Sequence, residues 1–183
     1  MELTMAHYEQ QEFVRQVKFF HPRYFDNVKV LDIGSQDING NNRVYFSNSN
    51  YIGIDVMPGR NVDVVSSGAA FKSEYRFDTV MSTECFEHDE SWAETLQNVC
   101  NNLLADGGML VFTCASEGRP EHGTRRTTPK DSPATTDYYM NLTEKHIRSA
   151  IDVDAIFKQY GFIQRTEWPQ DLYFYGIKKH GTN

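Results

Sequence analysis

The chain reads as an α/β fold, a mostly parallel sheet closed by an antiparallel C-terminal hairpin, with a reduced helix complement. Three observations predict it. Val28, Val30, Leu31 and Ile33 form a nearly continuous apolar run into Gly34, which suits a central parallel strand covered on both faces. A second apolar segment, residues 51–55, ends in an acid, Asp55, at about the 20-residue interval that separates glycine turn and acid in open α/β sheets. Residues 162–168 and 171–178 flank Pro169-Gln170, a connection too short for a parallel crossover, so this pair must be antiparallel.

The remaining elements follow from periodicity. Phe13, Val17, Phe20 and Tyr24 recur at helical spacing, so an amphipathic helix is expected over about 8–20, ended by His21-Pro22 and packed on the sheet as an N-terminal lid. Strands are predicted at 29–33, 51–55, 77–82 and 109–114. Only residues 56–61 separate the second strand from Val62, too few for a crossover helix, so 62–65 is expected to run beside the sheet rather than within it. Between 86 and 107, Ser91-Trp92-Ala93-Glu94 has the form of a capping box, and Leu96, Val99, Cys100, Leu103 and Leu104 make one apolar stripe. Gly107-Gly108 should stop this helix and start the next strand. A further helical region is expected from Asn141-Leu142-Thr143-Glu144 to about 151, continuing over 154–160 until Gly161 ends it.

The 183 residues are most simply one domain, 1–183, large enough for a core without staples. Cys85, Cys100 and Cys114 lack a C-x-x-C pair, which predicts a reduced, cytoplasmic protein rather than a disulfide framework or zinc site. Residues 1–10 lack a basic stretch followed by an apolar one, and no apolar run approaches about 18 residues, so no membrane span is expected. A net charge of -7 argues against a general nucleic-acid surface. The oligomeric state is not encoded in any pattern of the chain.

The first strand and turn carry the first functional signal. Gly34 lets the backbone turn sharply and lets a ligand approach without meeting a Cβ. Asp55 falls at the carboxyl edge of the sheet, where its two oxygens can accept both hydroxyls of an adenosine ribose.

Beyond these come Ser82-Thr83-Glu84-Cys85-Phe86-Glu87-His88 after the fourth strand and Ala105-Asp106-Gly107-Gly108-Met109-Leu110-Val111-Phe112 after the capped helix. Taken in order with D-I-G, Y-I-G-I-D and V-D-V-V, they resemble the class I S-adenosylmethionine-dependent methyltransferases, in register over 28–116 and more weakly through the hairpin. The resemblance implies a Rossmann-like fold and an enzyme that binds S-adenosylmethionine and releases S-adenosylhomocysteine. By match, Asp32, Gly34, Ser35 and Gln36 would wrap the methionine part. Asp55 would hold the ribose with Met57 near the adenine, and Ser67, Gly68 and Ala69 would reach the adenine edge. Glu84, Cys85 and His88 would line the methyl-transfer face. The chain departs from the family pattern at Gln36, where a second glycine is usual, and at Ser67, which replaces an acid.

The segment 117–142 follows the fifth strand, where an acceptor would meet the cofactor, and reads as structureless. Arg119, His122, Arg125, Arg126 and Lys130 make it locally basic, which is open to two readings: an acceptor lid in which Arg125, Arg126 and Tyr139 bind a small, anionic or sugar-containing molecule, or a solvated loop with incidental charge. His122 is the first candidate base, since imidazole titrates near working pH, followed by His88 and Tyr138. Glu87-His88-Asp89 is set aside as a metal site because adjacent residues rarely converge on one ion. His7, His21 and His180 read as surface residues. Two alternatives remain: an NAD(P)-dependent oxidoreductase, which also uses an acid such as Asp55 but whose G-x-G-x-x-G cannot be written onto G-S-Q-D-I-N-G, and a non-catalytic cofactor-binding protein.

Overall fold

A computed structural model describes residues 8–134 and 137–181; His7 lies outside them. Helix α1 spans Tyr8–Phe20, and strands β1 and β2 are Lys29–Ile33 and Asn50–Asp55. Strand β3 is the dipeptide Val64–Val65, and β4 is Phe77–Thr83. Helix α2, Trp92–Asn98, runs into a π-helical turn, Val99–Leu103, and then β5, Leu104–Ala115. Helices α3, Glu144–Ala150, and α4, Val153–Ile156, precede β6, Phe157–Gln164, and β7, Asp171–Lys178.

One seven-stranded sheet results, in the order β3-β2-β1-β4-β5-β7-β6. The first five strands are parallel, and β7 enters antiparallel between β5 and β6. The buried apolar run of β1 sits between β2 and β4, as its sequence requires of a central strand. Side chains alternating along β5 divide the core. Met109 and Val111 face Phe13, Val14 and Val17 of α1, while Leu110, Phe112 and Cys114 face Leu96, Val99 and Leu103. The lid helix is therefore one of the sheet's two covers.

Four local expectations are corrected. Residues Val64 and Val65 do pair with the end of β2, opposite Ile54 and Asp55, so this segment is a two-residue edge strand and not a neighbour of the sheet. Ser91 stands at the N-cap but makes no side-chain cap bond; Asp89 instead braces the turn before the helix, accepting from the Ser91 amide at 2.8 Å and the Thr95 hydroxyl at 2.7 Å. Gly161 does not end a helix but lies within β6 opposite Tyr175, where a Cβ would come within 2.9 Å of that ring. Strand β5 begins at Leu104, pairs there with Phe77, and resumes at Met109 opposite Thr79, so Gly107-Gly108 forms an irregularity inside the strand.

Candidate active site

The strand order reverses at β1, and the carboxyl ends of β1, β2 and β4 open there on a cleft of about 250 Å³. This is where open α/β sheets place ligands. Gly34 adopts φ 74°, and a Cβ there would lie 2.5 Å from Cys85 Sγ, so the turn after β1 is packed tightly on the segment after β4. The amides of Gly34 and Ser35 both donate to Ile54 O at 3.0 Å, binding the turn to β2.

Asp55 lies on the cleft wall. The amide of Gln36 donates to one carboxylate oxygen at 3.2 Å and that of Met57 to the other at 3.2 Å. Each oxygen keeps lone-pair capacity for a hydroxyl. Gln36, Ser67 and Gly68 also line the cleft, whereas Ser35, Met57 and Ala69 do not. Ser35 instead ties down the loop after β2, donating to Asn61 O at 3.1 Å and accepting from its side-chain amide through its own carbonyl at 2.9 Å.

Asp32 sits one layer deeper. It lines a smaller cavity, about 60 Å³, that shares Gly34, Gln36 and Glu84 with the cleft. Its carboxylate accepts from the Tyr51 hydroxyl and, at 3.1 Å, from the Asn42 amide. Burial raises its pKa to about 6 against the pull of those two donors. Gln10 of α1 enters the same cavity, and its side-chain oxygen has no hydrogen-bond partner among the described residues. Gln10 is buried beside Phe13, Val14 and Val17 on the inner face of α1, and a glutamine at that helical spacing is the only signal the sequence carries for it.

Beyond β4 the chain turns through Glu84 at φ 51°, a left-handed conformation uncommon for a residue with a long side chain. The Glu84 carboxylate accepts from the Thr113 hydroxyl at 3.0 Å. Burial above all, then the charges of Glu87 and Asp171, raises its pKa well above the usual range. Glu87 is fully buried, accepts from the Ala115 amide at 3.1 Å, and titrates at about 7, again chiefly through burial. His88 faces the cleft, and burial followed by the neighbouring His122 pushes it down to about 3. It is neutral and accepts protons poorly, so His88 is a hydrogen-bonding or ligating group rather than a strong base.

The described residues of 117–142 are anchored to the body of the protein at both ends. Arg119 donates to Asp171 at 2.9 Å and to Pro169 O at 2.7 Å, both side chains being almost fully buried. At its far end, the amides of Met140 and Leu142 donate to Glu87 O and Ala115 O. Between these anchors, residues 131–134 and Tyr138 form the outer cleft wall. Tyr138 donates to Met140 Sδ at 3.4 Å, and burial raises its phenol.

Three acceptor-side expectations change. Arg125 and Arg126 lie outside the cleft wall and pair with the segment's own acids, Arg126 with Glu121 at 2.8 Å and both arginines with Asp137. Tyr139 points at His122, its hydroxyl 3.2 Å from Nδ1. His122 is itself 9% exposed, with its ring edge-on to His88 at 5.1 Å, and is not part of the cleft wall. Nor do Glu87 and His88 stand apart from each other as their adjacency implied. They converge with His122, while the Asp89 carboxylate accepts instead from the Ser91 amide and the Thr95 hydroxyl. His21 is half-buried against Tyr175, and His180 is exposed.

A family model described as a methyltransferase domain matches residues 5–163. The chain belongs to the class I methyltransferase family. No curated protein matches it. Among solved structures, the methyltransferase is similar to N-methyltransferase NodS from Bradyrhizobium japonicum WM9, at 15% identity over 94% of this chain and 97% of that one, with a TM-score of 0.57. It is similar also to 1,6-didemethyltoxoflavin-N1-methyltransferase from Burkholderia thailandensis, solved with 1,6-didemethyltoxoflavin and S-adenosylhomocysteine, at 14% identity over 98% and 93% and a TM-score of 0.61. Phosphoethanolamine N-methyltransferase 2 from Haemonchus contortus, solved with S-adenosyl-L-methionine, is 13% identical over 98% of this chain and 54% of that one, with a TM-score of 0.63. At these identities the likeness is one of fold. The methyltransferase match does not favour the oxidoreductase alternative. Among the described residues, no helix is long and apolar enough to cross a membrane.

Proposed function

We propose that the cleft binds S-adenosylmethionine and that the protein transfers its methyl group to a small-molecule acceptor. The observation that carries this reading is the Asp55 carboxylate, held by two backbone amides on the cleft wall at the end of β2. A ribose diol needs two fixed acceptors, and this carboxylate supplies them. The unpartnered Gln10 oxygen and the buried Asp32 beside it suit the charged amino-acid end of the donor. S-adenosylmethionine, when bound, supplies an electrophilic methyl group on a positively charged sulfur.

The chain's own residues then position and screen. Gln36, Ser67 and Gly68 shape the wall around the nucleoside, while Asp32 and Ser35 act behind it as positioning residues for the turn and the loop after β2. Tyr138 and residues 131–134 exclude water from the outer side. Such alignment of nucleophile, methyl carbon and leaving group can account for much of a methyl-transfer rate enhancement.

The wall also informs the acceptor. Asp55, Glu84, Asp89, Glu90 and Asp131 line the cleft, and no lysine or arginine among the described residues does. With Arg125 and Arg126 turned outward, an anionic acceptor loses its support, and the acidic wall favours a neutral hydroxylated or an amine-bearing molecule. A cytoplasmic setting is supported by the three unbonded cysteines.

Isothermal titration tests the cofactor site. Asp55→Ala should weaken S-adenosylhomocysteine binding by about 1.5–3 kcal/mol, roughly 10- to 150-fold, with folding little changed. An unchanged affinity would remove Asp55 from the ribose and this reading with it.

A further inference from the structure

Glu87, His88 and His122 bring one ligand atom each to within 4.8 Å of one another. Methyl transfer as described above does not use this cluster. Among the described residues, Glu87 Oε2, His122 Nε2 and both ring nitrogens of His88 are buried without a hydrogen-bond partner. So many unpaired polar atoms at one point call for an explanation, since native interiors leave few. Edge-to-face packing of His88, His122 and Tyr139 accounts for the ring contacts but leaves those atoms unsatisfied.

Two of the three groups are also oriented for a shared partner. Glu87 has one oxygen fixed by the Ala115 amide at 3.1 Å, which leaves Oε2 turned to the cluster. His122 Nδ1 lies 3.1 Å from Pro120 O, so a proton on Nδ1 donates there and leaves the Nε2 lone pair free. A backbone carbonyl behind a ligating imidazole is the usual support for a metal ligand.

We propose that Glu87, His88 and His122 bind a first-row divalent transition-metal cation of the Zn²⁺, Co²⁺, Mn²⁺ or Fe²⁺ class. Two imidazoles and a carboxylate suit these ions, whereas Mg²⁺ and Ca²⁺ take oxygen ligands. Three protein ligands leave coordination positions open, as catalytic sites do. Because His88 lies on the cleft wall, an open position faces the place where an acceptor would enter. Coordination there of an acceptor hydroxyl would lower its pKa and release its proton to water, leaving an oxygen nucleophile. This last role rests on the methyl-transfer reading; the metal site itself does not.

The test is titration of chelator-treated full-length protein with Co²⁺, followed by its visible absorption, and with Zn²⁺ by calorimetry. One equivalent should bind, and millimolar Mg²⁺ should not compete. His122→Ala and the isosteric Glu87→Gln should each weaken binding at least about tenfold. S-adenosylhomocysteine affinity of His122→Ala should stay within about twofold of wild type, since His122 is not part of the cleft wall. No stoichiometric Co²⁺ or Zn²⁺ binding in the wild-type protein, or equal binding in wild type and His122→Ala, would overturn the proposal. Cofactor binding without metal binding refutes the metal site alone. Metal binding without cofactor binding sustains the site and refutes the methyl-transfer reading.

Discussion

Asp32 separates two roles that its place in the motif had merged. It lies beneath the turn, on the smaller cavity that Gln10 also lines, where it braces Tyr51 and Asn42 and is raised to about 6 by burial. Because its folded pKa exceeds its unfolded one, the native state binds the extra proton between about pH 4 and 6. Stability from this group is therefore fully present below about pH 4 and is lost as pH rises through 6. The lost contribution is about 3 kcal/mol at neutral pH, from a shift of about two pKa units. Asp32→Asn removes that titration while retaining an acceptor for Asn42. The stability of the variant relative to wild type should thus rise by up to about 3 kcal/mol between pH 4 and pH 7, read by urea unfolding. Parallel stability curves for the two proteins would show that burial does not perturb Asp32.

At the scale of the element, the segment 117–142 depends on one buried ion pair. Arg119 neutralises Asp171 at the start of β7 while Glu84 and Glu87 lie close by. Arg119→Ala would strand the Asp171 carboxylate, and loss of one partner from a buried pair costs about 3–5 kcal/mol. Chemical denaturation should show that loss, and Asp171→Asn in the same chain should recover part of it. Arg125→Ala and Arg126→Ala remove exposed pairs worth about 0–1 kcal/mol each and should leave S-adenosylhomocysteine affinity unchanged. A large loss of cofactor affinity in either variant would place these arginines in the site after all.

On the scale of the whole molecule, the cleft is formed by strands brought together only by the sheet order β3-β2-β1-β4-β5-β7-β6. A ligand that bridges their carboxyl ends binds the native state and not the unfolded chain. S-adenosylhomocysteine at about 100 times its dissociation constant should add roughly 2.7 kcal/mol, on the order of 5–10 °C in melting temperature for a domain of this size. NAD should leave the melt unmoved. The reverse pattern, NAD stabilising and S-adenosylhomocysteine inert, would restore the oxidoreductase alternative.

The sequence by itself determined what local physics can specify. The apolar run into Asp32-Ile33-Gly34, the strand ending in Asp55 and the closing hairpin each carry their periodicity and turn chemistry within a few residues. Tertiary structure decided whatever depended on distant neighbours. Gly161 reads locally as a helix stop, but its lack of a side chain makes room for Tyr175 across the hairpin. Ser91 has the spacing of a cap, but its side chain makes no cap bond and Asp89 holds the Ser91 amide and the Thr95 hydroxyl. The basic character of 117–142 indicated an anion site, until folding gave Arg119, Arg125 and Arg126 acidic partners. His122 stands 34 positions after His88 in the chain, and no periodicity links them. Only the anchoring of 117–142 at Asp171 and Glu87 sets the two imidazoles side by side, because side-chain convergence is a property of packing and not of spacing.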